Sequence, residues 1–469
     1  MVKYFCFIAL FLLFSCTLGE DYQHSDFWSD DKIEKSLQVE NKNSLPSLFW
    51  YQIFGDENLN LLVEQTLQNA PDLKIISAKL KQARYAFEIR EVDYFPMIDI
   101  TSGYNYAYAP NYGEFGNKDS YFKLGFDASW ELDIWGKGRR TKESYRAMYY
   151  AALNNADDVK LSLTAEVALD YVGLRISQEQ LKNAKENLKL QKEIKNLVKD
   201  KYDAGIADDI ALNQAEYAMN TTQALLPKFE NQIDSYKNAL FVLMGKLPDD
   251  MKILEASKDN LAAKNLKFDL QRLREIPIGS LRCRPDVMAA ENLLIAKNAE
   301  AGAALASMFP DVSIGATLGR QSHLLKSLRH SYNAAYGYVP QIDLPFLHWG
   351  QLYNELQSAK AVKEEYLYEY QKVLLSALQE VANAINAVGK EYEKNISLQK
   401  AVVNMKMVMD SMKEKYAQGL LNFSDLLDTE QNLLQAKNNL IESRGAIYEK
   451  VIAFYKALGG GYCRLSLRK

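Results

Sequence analysis

The sequence predicts a mixed α and β membrane protein built as an internal two-fold repeat. Three observations predict it: identical residues recur at one fixed separation, four stretches alternate in hydropathy over the length a membrane strand needs, and a long Pro-free stretch follows each pair of them.

The repeat comes first because it organises the rest. Pro71-Asp72-Leu73 matches Pro285-Asp286-Val287, Phe95-Pro96 matches Phe309-Pro310, and Trp135-Gly136 matches Trp349-Gly350. Tyr202 and Gly205 match Tyr416 and Gly419, and Glu216 matches Glu430, every pair being 214 positions apart. Matches held in step over such a distance imply an ancestral duplication.

Each copy reads helix, strand, strand, long helix, helix. After Phe95-Pro96, Ile98, Ile100, Tyr104, Tyr106 and Tyr108 alternate with Asp99, Thr101, Gly103 and Asn105. Phe122, Leu124, Phe126, Ala128, Trp130 and Leu132 then alternate with Lys123, Asp127, Ser129, Glu131 and Asp133. In the second copy Val312, Ile314, Ala316 and Leu318 oppose Asp311, Ser313, Gly315 and Thr317, followed by Tyr336, Tyr338, Ile342 and Leu344 against Gln341 and Asp343. These runs are about 10 to 13 residues, long for a globular strand and right for a tilted strand crossing an outer membrane. Trp130, Trp135 and Trp349 suit an interfacial aromatic girdle; core anchors are the alternative for Trp135 and Trp349. Four strands cannot close a barrel, and an open edge in hydrocarbon leaves backbone groups unsatisfied, so the chain must assemble with copies of itself. The physics alone allows a dimer or more.

The remaining sequence is helical. Arg139–Tyr202 and Trp349–Gly419 lack Pro, and each would reach roughly 95 Å if continuous at 1.5 Å per residue. Leu398, Met405 and Met412 recur by seven, as do Val402, Met409 and Tyr416, which is an a/d seam; the first copy shows only Leu174, Leu181 and Leu188. Gly205 and Gly419 read as C-caps with positive φ where each long helix stops and reverses. Asp209 and Ser424 are candidate N-caps of the returning helices, and Asp425 and Asp428 lie three apart on one face, as capping or solvated acids.

The N-terminus has one charge at Lys3 and an apolar run from Tyr4 to Phe14, too short to span a bilayer and typical of a secretory signal. Leu13-Phe14-Ser15-Cys16 resembles a bacterial lipobox, which makes Cys16 a candidate lipidated N-terminus; the alternative is an ordinary cut near Gly19. By the resemblance to sorted bacterial lipoproteins, Thr17 rather than Asp after the cysteine signals no inner-membrane retention, and the expected destination is the outer membrane. Cys283 and Cys463 have no CxxC or metal-ligand spacing; they pair or remain buried thiols. Four scattered His residues form no metal or catalytic motif, and a net charge of -4 without basic runs argues against nucleic acid. No cofactor and no metal are expected.

At this point the chain resembles the TolC-like outer-membrane efflux family, in particular its lipid-anchored branch serving drug and metal pumps. The strings that carry the resemblance are LRCRPDVMAAENLL from Leu281, FPDVSIG from Phe309, FDASWELDIWGKGR from Phe126, PQIDLPFLHWG from Pro340, YAQGLLNFSDLLDTEQNLL from Tyr416 and YKALGGGY from Tyr455. The resemblance implies a homotrimer whose chains give four strands each to one 12-stranded outer-membrane β-barrel, continuous with a long periplasmic α-helical coiled-coil barrel. It implies a passive exit duct for small molecules such as antibiotics, detergents, bile salts or metal ions. An inner-membrane transporter drives the export through a periplasmic adaptor, which contacts the hairpin tips at Gly205, Asp208, Asp209, Gly419 and Leu421. It implies a lipid (diacylglycerol and acyl chain) on Cys16, and a pore gate of Tyr416, Asp425 and Asp428, whose acidic ring attracts cations.

The organisation so read is a signal peptide at 1–15, a lipid-anchored segment at 16–60, and a first repeat at 61–246 with strands at about 96–109 and 120–134, a long helix at 139–203 and a return helix at 208–246. An equatorial linker at 247–280 leads to a second repeat at 281–458, with strands at about 310–322 and 334–347, a long helix at 349–418 and a return helix at 424–458, then a tail at 459–469. Two departures stand out. Some family members place a basic latch residue two after the glycine, where this chain has Leu421, and the first-copy counterparts of Asp425 and Asp428 are Ala211 and Gln214. Competing classes are the same fold serving protein secretion, a poreless periplasmic coiled-coil scaffold, and, least supported, an enzyme.

Overall fold

A computed structural model of the chain describes residues 17–24, 48–109, 117–248 and 281–462, with short pieces at 27, 32, 40–41, 254–255 and 275–276. The expected signal peptide, Cys16, most of the linker at 247–280 and Cys463 lie outside the described residues. The elements are α1 (Glu57–Asn69), α2 (Pro71–Val92), β1 (Met97–Ala109), β2 (Asn117–Leu132), α3 (Lys137–Asp203), α4 (Asp209–Leu243), α5 (Pro285–Ala306), β3 (Asp311–Ser322), β4 (Ala334–Asp343), α6 (Gln351–Ala417) and α7 (Phe423–Ala457). They divide into two compact units.

The first unit comprises 79–153 and 289–371 with the N-terminal residues through 25, and holds the strands. They form one antiparallel sheet in the order β1-β2-β3-β4, leaving β1 and β4 as edges. The duplication is written into its register. Met97 faces Ser129 in the first hairpin and Asp311 faces Asp343 in the second, the same pairing moved on by 214 at both positions. One face carries Ile98, Ile100, Tyr104, Phe126, Leu318, Tyr338 and Ile342, all exposed. An apolar patch of this extent is not a water-facing surface. On the other face Asp127 accepts from Thr101 Oγ1 at 2.8 Å and pairs with Lys123 Nζ at 2.9 Å. Among the described residues no helix is long and apolar enough to cross a membrane.

The strands stop earlier than the alternation suggested, for identifiable reasons. β2 ends at Leu132 because the Asp133 carboxylate accepts from the Gly138 and Arg139 backbone N–H groups, both at 2.9 Å, and from Arg139 Nε at 3.2 Å. It satisfies orphan donors of the first turn of α3, which therefore begins at Lys137 rather than 139. β4 ends at Asp343 rather than 347; Pro345 beyond it has no N–H to give a ladder. The tryptophans part company. Trp130 Nε1 donates to the Tyr94 carbonyl and Trp135 Nε1 to that of Pro310, with the Trp135 ring 5.1 Å from Phe309, whereas Trp349 is 88% exposed at a left-handed φ of 47°. Trp135 is a half-buried junction anchor in this sheet, and its repeat mate Trp349 is bare.

The second unit holds the helical hairpins, 154–288 and 372–469, with 26–78. Its larger core gathers Trp50, Leu59, Leu62, Tyr171, Leu174, Leu240, Val381, Val388, Tyr448 and Val451. Asp56 caps α1 through Asn58 and Leu59 N–H and accepts from Tyr171 Oη at 2.8 Å, tying that helix to α3. Trp50 stacks on Tyr455 at 5.8 Å. Helices approach closely where a side chain is absent: a Cβ on Gly173 would meet the Tyr236 ring at 2.4 Å. Cys283 is buried and disulfide-bonded, so it is not the free thiol of the alternative reading; its partner lies outside the described residues.

Candidate functional site at the hairpin tips

Both long helices end in the same hydrogen-bonded cap. Ile206 N–H donates to Lys201 O and Gly205 N–H to Tyr202 O; Leu420 N–H donates to Lys415 O and Gly419 N–H to Tyr416 O. This 6→1 and 5→2 pattern is a Schellman motif and needs a left-handed residue, which Gly205 (φ 70°) and Gly419 (φ 74°) supply. The returning helices start differently from the sequence reading. Asp208, not Asp209, is the N-cap of α4, accepting from Ala211 N–H at 2.9 Å, and Asp209 is its first helical residue. α7 starts at Phe423 after Asn422 with no side-chain cap, so Ser424 lies inside its first turn. Phe423 is drawn in by packing on Tyr416, 5.7 Å between rings.

A second core fills the tips, formed by Ile194, Val198, Ala211, Ala215, Met409, Tyr416, Phe423, Leu426 and Leu427, with Met405 and Met412 beside them. The heptad stripe of α6 is thus the stripe that buries. Tyr416 is 5% exposed; burial pushes its phenol pKa up, and the nearby Asp208 adds to the shift. Lys201 closes this core. Its ammonium donates to the Tyr416 carbonyl at 2.8 Å and stands 4.2 Å over the Tyr416 ring. A cation on the last turn of α6 meets the negative end of the helix dipole and the face of an aromatic ring together. Leu421 leaves the second hairpin without a basic residue two after its glycine; the cation comes instead from the other hairpin, one position before Tyr202. The signal for it was the repeat pair Lys201 and Lys415.

Asp425 and Asp428 are exposed on one face of α7 and form no ion pair among the described residues. Leu426, Leu427 and Thr429 between and after them are buried, so the helix turns the two carboxylates away from its own chain. Gly205, Asp208, Asp209, Gly419 and Leu421 surround the two turns, mostly solvent-exposed.

Glu430, the repeat counterpart of Glu216, has an environment of its own. It is 2% exposed, and its Oε1 has no hydrogen-bond partner; neither has the buried Oε1 of Gln191. Burial raises its pKa to about 7, against the opposing influence of Lys413 and of Gln191, whose side chain lies beside it. Its repeat mate Glu216 pairs with Lys195 at 2.8 Å, but the position matching Lys195 is Met409, so the second copy has the acid without that cation. Because the folded pKa lies above the ordinary 4.5, the packed tip holds the proton more tightly than a loosened one. Its stabilisation is complete below pH 4.5, is lost progressively up to about 7, and changes no further above that. Glu430→Gln is expected to flatten this dependence and add on the order of 3 kcal/mol at pH 8, read from urea unfolding of the tip between pH 5 and 8.

A sheet with one apolar face and two free edges, joined in sequence to capped helical hairpins, fits a membrane channel subunit better than a poreless scaffold. A profile of the outer membrane efflux protein family matches residues 62–246 and 279–460, and the chain belongs to that family. It is an outer-membrane transport protein, not an enzyme. It is 28% identical over 470 residues to the probable efflux pump outer membrane protein TtgC of Pseudomonas putida, covering 97% of this chain and 94% of that one. It is 26% identical over 462 residues to the probable outer membrane lipoprotein SilC of Salmonella typhimurium, covering 97% of each. Among solved structures it resembles the outer-membrane channel OprN, with a TM-score of 0.87 and 30% identity over 95% of this chain and all of that one.

Proposed function

We propose that three copies of this chain form one 12-stranded barrel and helical duct, the outer-membrane exit of a tripartite efflux pump for small molecules. An inner-membrane transporter supplies the energy, and a periplasmic adaptor grips the tips around Gly205, Asp208, Asp209, Gly419 and Leu421. Asp425 and Asp428, with Tyr416 behind them, form the gate. The observation that carries the reading is the four-stranded sheet, apolar on one face and unpaired at both edges. Such a sheet is stable in lipid only when neighbouring copies close it.

Lipidation of Cys16 belongs to the same reading. Leu18 N–H donates to Trp135 O, Arg140 donates to the Leu18 and Gly19 carbonyls, and Asn298 to that of Glu20. A cut near Gly19 would remove Leu18 from these contacts, whereas a cut before Cys16 keeps it. This supports the lipoprotein reading over the ordinary cut. Labelled palmitate should enter the wild type and not Cys16→Ala.

The duct reading is tested by membrane fractionation, by SDS migration with and without heating, and by planar-bilayer recording of the purified chain. An outer-membrane, heat-modifiable oligomer that conducts is expected. A soluble or non-conducting protein overturns it.

A further inference from the structure

Where the first repeat leaves the sheet, its helices enclose a charged pocket that a passive duct has no need of. A cavity of about 450 Å³ opens between the end of α2, the first turns of α3 and the N-terminal segment, with Thr17, Asp21, Tyr94, Lys142, Glu143 and Arg146 among its lining. Arg140, only 2% exposed, is its fixed point. Its Nε donates to the Leu18 carbonyl at 3.0 Å, its Nη2 to the Gly19 carbonyl at 2.7 Å and to Asp21 at 2.9 Å, and its Nη1 to Glu143 at 2.7 Å. One guanidinium thus holds two carboxylates side by side, with one negative charge in excess. The opposite excess stands one helical turn further on. Arg146 is exposed and makes no hydrogen bond or ion pair among the described residues. Lys142 beside it is half-buried, pairs with Glu91 at 2.9 Å and stands 5.6 Å over the Tyr94 ring.

Packing does not require these charges. At the matching positions of the second repeat, 214 further on, Tyr94, Arg140, Lys142, Glu143 and Arg146 become Met308, Asn354, Leu356, Gln357 and Lys360, and Glu91 becomes Leu305. The same fold is built there with apolar and neutral side chains and one cation. The pocket also lies at a particular depth. β1 begins at Met97 and β2 ends at Leu132, while Lys142 and Arg146 stand about 8 and 14 Å along α3 from its start at Lys137. The polar layer on each side of a bilayer is about 5 to 8 Å thick, and long basic side chains reach towards it from below. Trp130, on the apolar face, donates to the Tyr94 carbonyl, which ties this wall of the pocket to the lipid-facing side of the sheet. Thr17 follows Cys16 in sequence, and an acyl chain on Cys16 enters the same leaflet.

We propose that this pocket takes the headgroup of a zwitterionic aminophospholipid from the periplasm-facing leaflet. Its phosphate binds Arg146 and Lys142, and its primary ammonium binds Glu143 and Asp21, which Arg140 positions. The proposal rests on the outer-membrane reading. The charge pattern decides the class of lipid. A purely anionic headgroup would satisfy Arg146 and leave the two carboxylates with nothing but Arg140 between them, and a quaternary ammonium has no N–H to donate to a carboxylate. A primary ammonium has three such donors, and a guanidinium meets a phosphate with two parallel hydrogen bonds. Basic pockets beside membrane segments bind phosphate headgroups for this reason.

The test is native mass spectrometry of the purified full chain, titrated in detergent with phosphatidylethanolamine, phosphatidylglycerol or phosphatidylcholine. One phosphatidylethanolamine per chain is expected to bind, about tenfold more tightly than either of the others, the worth of one charge-assisted hydrogen bond. Arg146→Gln should weaken all three lipids about tenfold, since it removes the phosphate contact. Glu143→Gln should weaken phosphatidylethanolamine alone and erase its preference. Arg146 is exposed and unpaired, so its replacement leaves the fold intact, and Lys360→Gln, the same position in the second repeat, should change nothing. Equal binding of the three lipids, or equal losses in Arg146→Gln and Lys360→Gln, means general interfacial charge and overturns the pocket. Glycerophosphoethanolamine, the headgroup without its chains, should compete only at about a hundredfold higher concentration, because it lacks the apolar contacts of the lipid. Competition at equal concentration assigns the pocket to a soluble phosphodiester and overturns the lipid. A heat-modifiable, conducting oligomer with no lipid preference overturns this proposal and leaves the duct intact, while a protein that fractionates as soluble overturns both.

Discussion

Replacing Asp425 and Asp428 together by alanine is expected to weaken block by polyvalent cations at least tenfold in single-channel recordings. The two carboxylates face away from their own chain and carry no counterion there among the described residues. In the proposed trimer six of them would ring one opening. At an effective dielectric of about 20, a charge about 8 Å from one carboxylate is attracted by about 2 kcal/mol, and a polyvalent cation feels that from several at once, reduced by salt. Loss of all six therefore exceeds a factor of ten even after heavy screening. Asp208→Ala is the control, because that carboxylate caps α4; it should cost about 1 kcal/mol of hairpin stability and leave block in place. Block that is unchanged in the double variant removes the gate from these residues.

What the sequence made legible were features governed by short-range rules. Alternation of side chains across a strand is local, so all four strands could be read, and so could Gly205 and Gly419, since only a residue free to take positive φ ends a helix in that cap. The misreadings arose where a distant group decides. Asp133 continued the alternation of β2 and looked like a strand residue; it is the donors of α3, up to six positions on, that bend it out of the strand. Asp208 and Asp209 are equally good caps in a linear sequence, and the position of the turn chooses the first. Trp135 and Trp349 sit in one motif yet differ in burial because Trp135 packs on Phe309 and donates to Pro310, while Trp349 is 88% exposed. The role of Lys201 depends on a distant group too: the repeat pair with Lys415 marks the position, but its target is 215 positions away, at Tyr416. Burial of Glu430 likewise follows from four helices converging, not from its neighbours in sequence.

Arg284→Ala is expected to cost about 3 kcal/mol, the largest stability loss of any substitution considered, and to deplete the assembled protein from the membrane. Arg284 stands where the second repeat begins, just before α5, with its side chain buried against the end of α7. It donates through Nη1 to the Ala457 carbonyl and through Nη2 to Asp286 and Glu380, all at 2.8 Å. Burial works against its charge, but Asp286 and Glu380 outweigh it and raise its pKa. Removing one member of a buried ion pair typically costs 3–5 kcal/mol; the lower figure applies because Asp286 and Glu380 keep some water. Gly459, at φ 80°, lies so close that a Cβ there would meet the Arg284 Cα at 3.1 Å, so no larger residue can fill in behind. Arg284→Lys should recover less than half of the loss, since an ammonium cannot reproduce the planar fork that spans a carbonyl and two carboxylates. Equilibrium urea unfolding of the purified protein reads both numbers. A loss below about 1 kcal/mol for alanine, or full rescue by lysine, would mean that packing alone holds α7 to the start of the second repeat.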